Sequence, residues 1–334
     1  MRARTTVAGL ALLVALAGCT PDGPIAQETS ATPTASATPT PTPTITTTPR
    51  TRLDCDSLLP ASRAATVLGL ERNVLVGSRA QPFRSSAELI RESAEHNGGL
   101  LTCSWYEQKG LASITASAAG DAAEAFAGRT GTRLASEVEA YGSCADGTCD
   151  VELLAGTTWV SLQLTGAPAD IDLAALATST AASAIGSFDE PETATAPVCA
   201  TLLTPEQLST TAGLVQATPG SGTEGTTPAT AVAAAAARAG YASCSWSDAS
   251  NSAFSGLTVD ALPNGEDGWR NLSLTSGLSI VLEPLDGIGD KALAGCSAGS
   301  CEIDVLDDEL WWRVVVTGDE ERAEAVTRAV LAAS

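Results

Sequence analysis

The chain has 334 residues, with 18 Lys and Arg against 39 Asp and Glu, nine Cys and one His. At about 150 residues per domain the length suggests two domains, and an apolar content of 44%, much of it Ala, allows real cores. A formal charge of −21 argues against nucleic acid, whose phosphates need Lys and Arg to displace counterions, and a single His removes most His-based catalysis and His-rich metal sites.

Arg2 and Arg4 form a short basic region, and Val7 to Ala17 form an apolar run. The run is too short for a permanent membrane span and fits the apolar part of a signal peptide. It ends in Leu16-Ala17-Gly18-Cys19, which resembles a bacterial lipobox. That resemblance implies removal of residues 1–18, diacylglycerol on the Cys19 thiol and acylation, such as palmitate, of the new amine. Acyl chains contribute about 0.8 kcal/mol per buried CH₂, so two or three of them hold a protein on a membrane. No other stretch approaches 18 consecutive apolar residues, so no transmembrane helix is expected.

Residues 20–50 hold 11 Thr and 7 Pro. Such a segment buries no core and reads as a disordered or extended tether, with an upper reach of about 95 Å in the polyproline conformation. Beyond it the chain repeats. Cys55-Asp-Ser-Leu-Leu-Pro60, Cys103-Ser-Trp105 and Cys144-Ala-Asp-Gly-Thr-Cys149 match Cys199-Ala-Thr-Leu-Leu-Thr-Pro205, Cys244-Ser-Trp246 and Cys296-Ser-Ala-Gly-Ser-Cys301. Trp159 and Trp311 each lie ten positions past the last Cys of their copy. We read 19–50 as the tether, 51–190 as the first copy and 191–334 as the second, with the boundary near 191–197.

Each copy predicts the same series. A helix comes first, over 60–68 or 205–212, with Pro near its start, Gly69 or Gly213 past its end, and a Thr204/Gln207 capping box in the second copy. A variable segment follows, which at 219–228 reads as a mobile loop. Next come a hairpin around Cys-Ser-Trp, a helix near 121–127 or 266–272, three more strands, and a closing helix over 170–185 or 320–333. Strands running together with helices set apart predict an α+β class, a small twisted and mainly antiparallel sheet in each of two tandem domains.

Cys19 aside, four cysteines fall at matching places in each copy, and paired cysteines in an exported chain form disulfides. The duplication favours closure within a copy, which leaves three pairings in each. Short Gly-containing loops suit Cys144–Cys149 and Cys296–Cys301, leaving Cys55–Cys103 and Cys199–Cys244. A tetrahedral zinc site is the rival, but the spacings lack C-x₂-C knuckles.

Period-two alternation puts Val160, Leu162 and Leu164 on one face of the last strand, matching Trp312, Val314 and Val316. That face is the expected core. Trp159, Trp311 and Arg313 fall on the opposite, partly polar face and are the candidate binding residues, because aromatics and Arg concentrate binding energy. The alternative is that a helix, a loop or the sister domain covers them. Trp105 and Trp246 read as core. His96 reads as a solvated loop residue, and Asp304, Asp307, Asp308 and Glu309 as a charged hairpin turn rather than a Ca²⁺ loop. Gly287-Ile288-Gly289-Asp290 lacks the continuation of a phosphate loop.

The elements Cys-x₂-Leu-Leu-(Thr)-Pro, Cys-x-Trp and Gly-Ile-Gly-Asp-Lys-Ala resemble actinobacterial lipoproteins of the domain-of-unknown-function 3558 type. They are also similar to extracytoplasmic sensor domains of mycobacterial membrane kinases. In the first copy Ser136-Glu137-Val138-Glu139 stands where the second has Ile288-Gly289-Asp290-Lys291. The resemblance implies a twisted sheet with packed helices, location on the outer face of the cell membrane, and no established catalytic residue. The expectation is a non-enzymatic binding or sensor module without cofactor or metal, its partner a small molecule, a glycan or an envelope protein. A scaffolding role and an envelope hydrolase with an unrecognised site are the alternatives.

Overall fold

The computed structural model describes residues 52–70, 75–77, 84–220, 222, 226–250 and 256–333. Cys19, the lipobox, the tether and part of the 219–228 segment lie outside these. The first copy contains α1 (Cys55–Leu58), α2 (Ala61–Val67), β1 (Leu75–Val76), α3 (Ser86–Asn97), β2 (Leu100–Glu107), β3 (Ser113–Ala119), α4 (Ala123–Phe126), β4 (Ala140–Ala145), β5 (Thr148–Ala155), β6 (Thr158–Thr165) and α5 (Leu173–Ser183). The second contains α6 (Cys199–Leu202), α7 (Pro205–Thr210), β7 (Ala217–Pro219), α8 (Ala231–Arg238), β8 (Ala242–Asp248), β9 (Gly256–Leu262), α9 (Glu266–Leu274), β10 (Glu283–Leu285), β11 (Lys291–Ser297), β12 (Ser300–Asp307), β13 (Leu310–Thr317) and α10 (Glu320–Leu331).

The class is α+β, and the duplication is visible in the sheets. The first runs β1-β2-β3-β6-β5-β4, and the second runs β7-β8-β9-β13-β12-β11-β10. The named strand pairs are all antiparallel. Strand β10 adds an edge to the second sheet, and in the first a single bridge, Arg133 to Tyr141, stands in its place.

Local chemistry starts and stops these elements as expected. Thr204 accepts from the Gln207 N–H while the Gln207 side chain accepts from the Thr204 N–H, a reciprocal cap on α7. Gly69 and Gly213 end their helices at φ +66° and +74°, a conformation that costs glycine little.

All eight cysteines among the described residues pair within their own half: Cys55–Cys103, Cys144–Cys149, Cys199–Cys244 and Cys296–Cys301. The longer two tie α1 and α6 to the Trp-bearing strands. Trp105 Nε1 reinforces the first tie by donating to the Leu59 carbonyl at 2.7 Å. Val160, Leu162 and Leu164 lie in the first half's main core, and Trp312, Val314 and Val316 in the second's, where Trp246 also packs.

The variable segments differ from expectation. Each contains a helix, α3 and α8, and each helix leaves its own copy to cover the sheet of the other. Leu89, Ile90 and Ala94 of α3 pack with Leu262, Leu306 and Trp311 of the second half. Ala231, Ala234 and Ala235 of α8 pack with Ala119, Phe126 and Trp159 of the first. The described residues belong to one compact unit, with helices exchanged between its two sheets. His96 lies in the last turn of α3, not in a loop, because the Ser85/Glu88 capping box and the apolar positions 89, 90 and 94 propagate a helix through it.

Candidate functional site

The exchange creates two seams related by the duplication. Strand pairing sets Trp159 opposite Ala119 and Trp311 opposite Leu262. In both cases the indole lies on the face away from the half's main core and is fully buried, under the helix from the other half together with Phe126 or Trp269 of its own. Trp159 meets Phe126 edge-on with ring centroids 5.3 Å apart, and Trp311 meets Trp269 edge-on at 6.3 Å. Trp159, Trp311 and Arg313 therefore sit inside the molecule, with the sister half as their cover.

Each indole N–H has a buried carboxyl partner seven residues earlier, on the neighbouring strand. Trp159 Nε1 donates to Glu152, and Trp311 Nε1 donates to Asp304 at 2.9 Å. The residue two positions past each Trp then meets the start of the incoming helix. Ser161 Oγ accepts from the Ala231 N–H of α8 at 2.9 Å and donates to Glu152 at 2.6 Å. Arg313 Nε donates to Ser86 Oγ of α3 at 2.8 Å, and the same hydroxyl donates to Glu302. Arg313 also donates from Nη1 to Asp260 at 2.9 Å and from Nη2 to Glu302 at 2.6 Å. Tyr241 completes the group by donating to Asp260 at 3.1 Å.

The electrostatics follow from burial. Desolvation is the largest influence on Glu152 and raises its pKa despite the Ser161 and Trp159 hydrogen bonds. Asp304 is raised well above the ordinary carboxylate range, first by burial and then by the Glu302 charge beside it. Burial opposes the Arg313 charge, but Glu302, Asp260 and Asp304 outweigh it and raise its pKa. The Tyr241 hydroxyl is pushed up by burial and by Asp260.

Asp304 thus departs from the expected turn. Its carboxyl is inside strand β12 under Trp311, because Glu302 and Asp304 alternate with the core residues Ile303 and Val305. Only the Asp308-Glu309 pair makes the turn, at φ +46° and +70°. In the Gly287-Ile288-Gly289-Asp290 loop, Ile288 is buried in the second core and the Asp290 N–H donates to the Leu306 carbonyl at 2.9 Å. The loop closes an edge of the sheet.

A recess of about 960 Å³ opens where the chain leaves α5 towards the second half. Leu154, Ala181 and Phe188 line it with apolar surface, and Ile185, Glu137 and Glu190 are among its exposed lining residues. Ile185 is 77% exposed. Arg238 of α8 reaches the wall and donates to the Gly120 carbonyl. The inter-repeat segment also straps both exchanged helices at equivalent ends, because the Glu192 N–H donates to Asn97 O at 2.8 Å and the Ala194 N–H donates to Arg238 O at 3.3 Å. Sequence reasoning missed Glu152, Asp260 and Glu302. The signal was present as carboxylates alternating with core residues on the strands. No helix among the described residues is long and apolar enough to cross a membrane.

No protein-family model matches the chain, and no curated protein matches it significantly.

Proposed function

We propose that this chain is a lipid-anchored, extracytoplasmic binding module of the cell envelope, non-enzymatic and related to the lipoproteins of the domain-of-unknown-function 3558 type. The observation that carries the reading is the pairing of all eight cysteines downstream of Leu16-Ala17-Gly18-Cys19. Four intact disulfides fit an oxidising compartment, and the lipobox supplies the route there and the anchor. The recess beside Ile185 and Phe188 is the place we assign to a small amphiphilic molecule or glycan, since concave sites with apolar floors and a few polar groups are the usual ligand sites. Scaffolding through Trp159 and Trp311 is disfavoured, because both indoles are enclosed by the chain itself.

The anchor is tested by detergent phase partitioning of the chain produced in an actinobacterial host. The wild type is expected in the detergent phase and Cys19→Ala in the aqueous phase, and identical partitioning of the two defeats the anchor. The recess is tested with the apolar fluorophore N-phenyl-1-naphthylamine. Its fluorescence gain on binding should drop on Ile185→Asp, and equal gain in both proteins removes the recess from the reading.

A further inference from the structure

The two seams repeat one device that packing alone does not require. Glu152 and Asp304 lie at equivalent places, each receiving an indole N–H and each covered by a helix from the other half. At Asp304 the facing cation is Arg313, which shares the site with three carboxyls. Its guanidinium is spent on Asp260 and Glu302, which leaves the buried Asp304 Oδ2 without a donor and its carboxyl beside that of Glu302. The other groups here are Tyr241, held by Asp260, and the α3 hydroxyl of Ser86. At Glu152 both donors are neutral, Trp159 and Ser161. Arg129 attracts its charge and Asp150 repels it, and α8 packs alanines against this sheet while its one cation, Arg238, donates to the Gly120 carbonyl. An ionised carboxylate enclosed without its own cation is costly, and such groups take up a proton instead.

We propose that the exchanged helices form an acid-closed latch, in which Glu152 and Asp304 each hold a proton while the helices are docked and their ionisation releases α8 and α3 from the sheets they cover. Burial raises both groups, which agrees with the geometry. A carboxyl with a raised folded-state pKa gives its full stabilisation below the unfolded value and loses it as pH climbs through the folded value. The seams are therefore tightest in mild acid and loosen towards neutrality and above. Loosening uncovers the Trp159 and Trp311 faces, so the proton becomes a signal that the molecule reads. The latch goes beyond the binding module proposed above and needs neither the anchor nor the recess.

The test is amide hydrogen exchange in the full chain, corrected for intrinsic rates, between about pH 5 and about pH 8. Each unit of upward shift is worth tenfold in the opening equilibrium. Protection in α3 and α8 should fall at least about tenfold across this range, while that of β3 and β9 changes less. The double variant Glu152→Gln, Asp304→Asn should be flat. Wild-type protection that ignores pH, or a double variant with the wild-type profile, overturns the latch. Should the double variant not fold, carboxyl carbon titration by NMR of the wild type decides. Titration of Glu152 and Asp304 above the ordinary carboxylate range supports the latch, and titration within it overturns the latch.

Discussion

The two seams have the same geometry and different chemistry. Under α8 the first sheet offers Ala119, Ser161 and Glu152, and the helix answers with alanines. Under α3 the second sheet offers Leu262, Arg313, Asp260 and Glu302, and the helix answers with Leu89, Ile90 and Ser86. What both keep is the buried Trp and the carboxyl seven residues before it. The indole–carboxyl pair and the disulfides thus define the repeat, whereas the residues meeting the helix start have diverged from a neutral hydroxyl to a buried ion cluster. A buried cluster of this kind adds little net stability but fails badly when one member is removed.

That contrast can be broken at its largest point. Arg313→Ala leaves Asp260 and Glu302 enclosed without a cation, and we expect a loss of about 3–5 kcal/mol in denaturant unfolding at neutral pH. The disulfides test what the halves share. Their loops are of similar length, 48 residues for Cys55–Cys103 and 45 for Cys199–Cys244. Replacing either pair with Ala should therefore cost nearly the same, about 4 kcal/mol in the chain-entropy model. A large inequality would show that one half is pre-ordered without its bridge. The helix contact is sharper still. A Cβ at Gly98 would collide with the Ala235 carbonyl oxygen, whereas the corresponding position in the second half is already Ala239. Gly98→Ala should cost about 1–3 kcal/mol by overpacking, with faster amide exchange in both α3 and α8. The smallest effect is expected at the counterpart of Arg313. Ser161→Ala removes one hydroxyl and should cost about 1 kcal/mol in the same unfolding measurement.

Much of this architecture is legible in the sequence because it is local. Matching cysteine spacings and short loops gave the four pairs, the Thr204/Gln207 box gave the start of α7, and alternation in β6 and β13 gave the correct core face. The exchange was not legible, for a physical reason. Helix α8 reads Ala-Val-Ala-Ala-Ala-Ala-Ala-Arg, in which every residue before the closing Arg238 is apolar, so no polar–apolar period within 231–237 singles out the buried face. Helix α3 does carry such a period, but nothing in its own copy says that the surface it fits belongs to the other. The open face assigned to Trp159 and Trp311 was the correct face of the strand, and its cover came from a segment more than seventy residues away in each case. The buried carboxyls were hidden similarly. An acidic residue beside a hairpin turn reads as solvated until a non-local helix closes over it.

The strap between the repeats has a consequence for inheritance. Asn97 and Arg238 are both gripped by the joining segment, and each copy's sheet is completed by its sibling's helix. A substitution on the docked face of either exchanged helix is therefore felt first in the other copy. Neither copy can drift, be trimmed away or be borrowed by another gene without leaving a bare tryptophan face behind, so evolution must treat the pair as one heritable part.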